Sequence, residues 1–242
     1  TLKRELAKIP GVNSVGVSTD TFPNKYGNFS TIGFTNKSDQ ETASVQTMYV
    51  DPDFLDTYTI KPIAGRSFSS KFRGDFPTEP ASDDIPITRS AVINESLLAL
   101  SGYANANDAI GKQLIMGQDQ ITDITIIGVI KDLYISSTRE STSPQIYFVT
   151  ESGLDFITLE LENGYDAGTM QKINNVWITQ LPDVPLISTF TSDAFNALYI
   201  AEIRRATIFA IFSVLSIIIS SIGLYGLAAF VAESRTKEIG IR

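Results

Sequence analysis

The chain has 242 residues, no cysteine, no histidine and a formal charge of −8, with 27 acidic against 19 basic side chains. It is long enough for a sizeable core. Missing cysteine excludes disulfides and zinc–thiolate sites, missing histidine removes the commonest general base and metal ligand, and the acidic balance speaks against a nucleic-acid partner.

The N-terminal stretch has no apolar signal-peptide core. Leu2, Leu6 and Ile9 fall at helical spacing and Pro10-Gly11 ends that helix, so the chain is expected to begin inside a helix, at a fragment boundary. Val12–Ser18, Asn28–Phe34 and Thr42–Val50 are rich in β-branched and aromatic residues and read as strands. Residues 52–55 open a short helix, and the proline- and acid-rich stretch 74–86 reads as a surface loop. Residues 91–93 are a short strand. Asn94 caps a helix over 96–100 that Gly102 ends. Gln113–Met116 and residues 121–130 read as a hairpin around Gly117-Gln118. Residues 144–149 and Phe156–Leu161 are two more strands, 166–181 an amphipathic helix stopped by Pro182, and 185–190 a last strand. The interleaving predicts an α+β fold.

The last fifty residues differ from all of this. Residues 206–232 form a run of 27 without a charge. As a helix this run is about 40 Å long, more than the ~30 Å hydrocarbon core of a bilayer. Ser192 is the expected N-cap, with Asp193 in the first turn. The helix is expected over 193–232, its outer part a stalk with Phe195, Leu198 and Tyr199 on one apolar stripe. Arg204 and Arg205 precede the span; Arg235, Lys237 and Arg242 follow it, which points the C-terminal side toward the cytoplasm. Ser213, Ser216, Ser220 and Gly223 fall within about 80° of one another around the axis. Small residues there would let a second helix approach closely.

No catalytic constellation is present in the sequence. Gly111-Lys112 lacks the rest of a phosphate loop, since Ala106 and Gln113 stand where Gly and Ser/Thr are needed. Asp51, Asp53 and Asp56 lack the glycine and terminal glutamate of a calcium loop, and read as capping or solvated residues. No enzyme activity, cofactor site or metal site is expected within the chain.

Glu233-Ser-Arg-Thr-Lys-Glu-Ile-Gly-Ile-Arg242, directly after Gly223-Leu-Tyr-Gly-Leu-Ala-Ala-Phe230, resembles the end of the second transmembrane helix of MacB/FtsX-like ABC transporter permeases. Further segments resemble that family in the same order: Ile9-Pro-Gly-Val12; Asp53-Phe54 with Ala64-Gly65-Arg66-Ser67-Phe68; Ala91-Val-Ile-Asn-Glu95; Ile110-Gly-Lys112; and Ile127-Gly-Val-Ile-Lys-Asp132. The resemblance implies a two-lobed periplasmic domain. Its porter-like α+β lobe would comprise 1–48 and 136–191, and an inserted β-rich, sabre-like lobe 49–135. A stalk and transmembrane helix would follow over 192–234, and a cytoplasmic coupling segment would start at 235–242, with Lys237, Glu238 and Arg242 against an ABC ATPase subunit. The first, third and fourth transmembrane helices of such permeases are not in this sequence. The implied partners are that ATPase, a second permease copy or half, the lipid bilayer of the bacterial inner membrane, and a periplasmic adaptor or outer-membrane protein. The implied function is coupling of ATP hydrolysis to periplasmic movement for export or extraction. The alternative is a regulatory module that controls a cell-wall hydrolase or a sensor kinase.

Overall fold

The computed structural model describes residues 2–23, 27–36, 41–77, 87–116, 122–133, 142–162, 164 and 166–239, without the side chains of 198, 199, 201, 202 and 235–239. It divides into a unit over Thr1–Thr189 and a second over Phe190–Arg242.

The first unit runs α1 (Leu2–Leu6), β1 (Val12–Ser18), β2 (Asn28–Phe34), β3 (Thr42–Val50), α2 (Phe54–Thr57), β4 (Pro62–Gly65), a 3-10 turn (Arg73–Asp75), β5 (Ile87–Asn94), α3 (Glu95–Ser101), α4 (Ala106–Ala109), β6 (Gln113–Met116), β7 (Thr122–Ile130), β8 (Gln145–Val149), β9 (Phe156–Leu161) and α5 (Ala167–Gln180). Among the described residues the nine strands form one sheet in the order β2-β6-β7-β5-β8-β3-β1-β9, with β4 alongside β7. Because β2 also pairs with β3, the first six strands of that order close on themselves into a ring. β3 is long enough to serve three neighbours: residues 42–47 pair with β2, 46–50 with β8, and Val50 meets Ser18 of β1. The β3–β8 and β5–β7 pairs are parallel; the others are antiparallel.

Strand alternation fills the ring. Ile32, Phe34, Val45, Ala91, Ile93, Leu114, Ile124, Ile126, Ile146 and Phe148 form one buried cluster, completed by Leu97 and Leu98 of α3 and Ala109 of α4. A second cluster is separate. Leu6 and Ile9 at the N-terminus, Val15 of β1 and Ile173 of α5 pack together, with Leu159, Leu161 and Leu186 against them. The apolar stripe of α5 and the spacing of Leu2, Leu6 and Ile9 thus cover the β1–β9 part of the sheet. Asp166 starts α5 by accepting the Thr169 N–H at 2.8 Å. After α5, the Trp177 indole N–H donates to the Val184 carbonyl at 2.7 Å and holds the chain where Pro182 has stopped the helix.

Two expectations, for residues 185–190 and 91–93, need correction. Residues 185–190 form no strand. Pro185 has no N–H to donate, and only Leu186 finds a core, while Ile187 is 87% exposed. β5 spans Ile87–Asn94 rather than 91–93, because β7 pairs with its whole length. The Gly117-Gln118 turn and residues 78–86 lie outside the described residues. The expected lobe boundary at 48/49 falls inside β3, and that at 135/136 lies outside the described residues.

The second unit is α6, Thr191–Ile239, 49 residues in one helix. It begins a residue or two earlier than the sequence predicts. Ser192 lies in its first turn and is not the cap; the Phe190 carbonyl accepts from the Asp193 and Ala194 N–H groups at 3.0 Å. It also continues past residue 232, to Ile239.

Candidate functional site: internal staples and an unpartnered helix

The family-like motifs of the first unit hold its elements together. Gly65 has φ +72°, and a Cβ on it would lie 2.2 Å from the Ile127 carbonyl oxygen. Across the β4–β7 pair, a Cβ on Gly128 would lie 2.3 Å from the Arg66 carbonyl oxygen. Both backbones approach too closely for any side chain. Arg66 then donates two parallel hydrogen bonds to Asp75, at 2.7 and 2.6 Å, and stacks 4.2 Å over the Phe72 ring. Asp75 is buried and also accepts from the Ser69 N–H at 3.0 Å. This hydrogen-bonded carboxylate holds the guanidinium of Arg66 above its ordinary pKa. The sequence reading flagged Arg66 through its motif and missed Asp75, which looked like the start of a solvated loop.

The Asn94 and Asp132 motifs meet at the start of α3. The Asn94 side chain accepts from Leu97 N–H at 3.0 Å and Gln145 N–H at 2.8 Å, so it caps the helix and fixes the start of β8. Asp132 accepts from Ser96, through its N–H at 2.9 Å and its hydroxyl at 2.7 Å. Buried between these groups, Tyr147 donates to Gln145 at 2.7 Å, and burial pushes its phenol well above the usual range.

Asp51 and Asp53 both pair with Lys3 of α1, and Asp51 also accepts the Val17 N–H at 3.0 Å. These aspartates therefore tie α1 to the sheet. Burial opposes the Lys3 charge, but the hydrogen bonds to both carboxylates outweigh it and raise the Lys3 pKa. Gly111 and Lys112 form the turn into β6: Gly111 N–H donates to Ile126 at 2.8 Å and Lys112 N–H to Ala109 at 3.1 Å. Among the described residues no cluster of three or more acidic side chains is arranged to hold a metal ion.

In α6 the pattern is reversed. Within its segment Ile203–Ser234, the most apolar 18-residue stretch has a mean hydropathy of 2.3, and none of that stretch is buried. Ile211, Phe212, Leu215, Ile218 and Ile222 on its various faces are each exposed. Of the small-residue stripe, Ser213 returns its hydroxyl to the Phe209 carbonyl at 2.8 Å within the helix. Ser216 and Ser220 have no side-chain hydrogen bond among the described residues, and a Cβ on Gly223 would meet nothing within 4 Å. Phe195 is half-buried; Leu198 and Tyr199 lie on the helix, their side chains outside the described residues. Lys237 and Glu238 lie on its last turn, again without described side chains, and Arg242 lies outside the described residues.

The profile of the MacB-like periplasmic core domain matches residues 2–176. The chain belongs to that family. The fold agrees: the periplasmic region of MacB from Actinobacillus actinomycetemcomitans superposes with a TM-score of 0.54 at 13% identity, covering 82% of this chain and 81% of that one. The extracellular domain of the ABC-type transporter YknZ from Gram-positive bacteria matches at 13% identity and a TM-score of 0.47, over 75% of this chain and 81% of its own. No curated protein matches the chain. The mixed α+β unit is thus a MacB-like periplasmic domain of an ABC-type transporter permease, and one helix long and apolar enough to cross a membrane follows it. Permeases of the MacB/FtsX type are transporter components that work with ABC ATPase partners.

Proposed function

We propose that this MacB-like chain couples ATP hydrolysis in a partner ABC ATPase to movement of its periplasmic domain, and that this movement drives export or extraction of an envelope substrate. In this reading residues 1 to about 200 lie in the periplasm, α6 crosses the bacterial inner membrane, and Lys237, Glu238 and Arg242 meet the ATPase at the cytoplasmic surface. The observation that carries it is the continuity of α6. One helix of 49 residues, about 73 Å at 1.5 Å per residue, includes both the unburied apolar span and the first part of the basic segment. Such an element passes a displacement at one end to the other. Phe195, Leu198 and Tyr199 would line its stalk, and a second permease copy or half would pack against Ser213, Ser216, Ser220 and Gly223. The two apolar clusters favour a two-lobed periplasmic domain whose division follows the closed ring.

The test uses the absence of native cysteine. In intact cells a membrane-impermeant thiol reagent should label Ser152→Cys and spare Lys237→Cys. With the ATPase present, Glu238→Lys should leave the fold intact while ATP hydrolysis no longer supports transport. Labelling of Lys237→Cys alone would invert the topology. Normal transport by Glu238→Lys would remove the coupling role. Crosslinking of the domain to a peptidoglycan hydrolase instead of an adaptor or outer-membrane protein would favour the regulatory reading.

A further inference from the structure

β9 stands at the end of the strand order, and β1 is its strand neighbour among the described residues. The described backbone hydrogen bonds of β9 and its flanks all run to that side. Open sheet edges are commonly blunted by lysine or proline. β9 has neither, and its one charge, Glu160, accepts from the Ser14 hydroxyl at 3.0 Å on the neighbouring strand. The edge is therefore a template for one more strand.

Residues 185–189 are the complementary half. Their backbone makes no hydrogen bond among the described residues. Leu186 packs against the same apolar cluster as Ile157, Leu159 and Leu161 of β9. Ile187, beside it, is 87% exposed, the most exposed of the large apolar side chains described. The chain passes from β9 to this segment through the 14-residue helix α5, and a parallel pair of strands needs a crossover of that length. Val184, at the head of the segment, is already anchored by Trp177.

We infer that residues 185–189 are a strap that closes on the free edge of β9 as a further, parallel strand. Pairing 185–189 with 156–160 keeps Leu186 beside Ile157 over the cluster that both already touch. Alternation then turns Ile187 to the opposite face, beside Thr158 and next to Phe156, which is 42% exposed. Closure covers these two apolar side chains and pairs two backbones that otherwise have no partner. Pro185 falls at the first strand position, where its missing N–H is tolerated. α6 begins at Thr191, directly after the strap. In the coupling reading above, on which this last step rests, a displacement of α6 opens or closes the strap and so changes the width of the sheet.

The test uses the full chain in lipid nanodiscs and its lack of native cysteine. Under mild oxidation, Thr158→Cys with Ile187→Cys should form a disulfide within one chain roughly tenfold faster than Thr158→Cys with Ser188→Cys, whose second thiol points to the other face. A second in-register pair, Glu160→Cys with Thr189→Cys, should behave like the first, so that one misfolded variant does not decide the result. Equal rates for in-register and out-of-register pairs would overturn the strap. A disulfide between two chains would overturn it too, and would give the edge to a second copy. With the ABC ATPase present, adding ATP should change the in-register rate. An unchanged rate would remove the link to α6 and leave the strap standing.

Discussion

In the periplasmic unit Arg66, Asn94 and Asp132 of the family-like motifs find their partners on other elements of the same unit; the described small residues in the middle of α6 do not. Arg66 has Asp75, Asn94 has Leu97 and Gln145, and Asp132 has Ser96. Ser216, Ser220 and Gly223 have no such partner among the described residues, and the large apolar side chains around them are exposed. Motifs of the first kind are explained by the fold of this chain. Those of the second kind require an environment that the chain does not supply, and the length and composition of the span point to lipid and other helices.

Substitutions can break this contrast. The largest effect belongs to glycine. Gly128→Ala forces a Cβ to 2.3 Å from a carbonyl oxygen and should cost roughly 4 kcal/mol in urea unfolding, whereas Gly226→Ala, where a Cβ meets nothing, should change stability by less than about 1 kcal/mol. Similar costs at the two positions would erase the distinction. Next is the buried carboxylate. Asp75→Asn should cost about 2 kcal/mol, less than the loss of a fully buried pair, because the Arg66 side chain is 38% exposed. A cost near zero by denaturant titration would mean that the Arg66 pair does not hold β4 and the 3-10 turn.

The next substitution acts across the contrast. Ser216→Leu and Ser220→Leu should leave periplasmic-unit stability within about 0.5 kcal/mol of wild type. They should still disrupt assembly of the full permease with its ATPase in nanodiscs, with Ile218→Leu nearly silent. Wild-type assembly by both bulky variants would assign this face to lipid. The smallest effect is pH-dependent. Hydrogen bonds from Thr169 hold the exposed Asp166 carboxyl below its ordinary pKa of 3.8. A depressed carboxylate contributes stability above its unfolded pKa and loses it as pH falls through the folded value. Amide protection in the first turn of α5, taken relative to intrinsic exchange at each pH, should therefore fall below about pH 4. Asp166→Ala should exchange faster at neutral pH, and its difference from wild type should close in acid.

The sequence made local structure legible wherever one face alternates. Val12–Ser18, Asn28–Phe34, Thr42–Val50 and Phe156–Leu161 occupy the predicted bounds, because β-branched residues and turn-forming neighbours mark both ends. Ring closure was not legible. It depends on pairs such as Ile32 with Met116, and periodicity carries no record of which strand lies beside which. β4 escaped notice because four residues beginning with proline have no period to read. Residues 185–190 carried strand-like composition without a partner strand. The charge-free span was unmistakable in sequence, while its first turn moved by a residue or two because the Phe190 carbonyl begins the helix.

The hydrogen bond from Trp177 to Val184 has an optical consequence. This tryptophan is the single one in the chain. Its indole is half-buried at the C-terminal end of α5, and its N–H is committed to a backbone carbonyl in the segment that leads toward Thr191. Every photon of tryptophan emission therefore comes from one place. Loss of that bond to water would shift the emission to the red, with no contribution from the sheet to subtract. The native chain thus carries its own dye at the C-terminal end of α5, and any change at that place registers as a change of colour without any label.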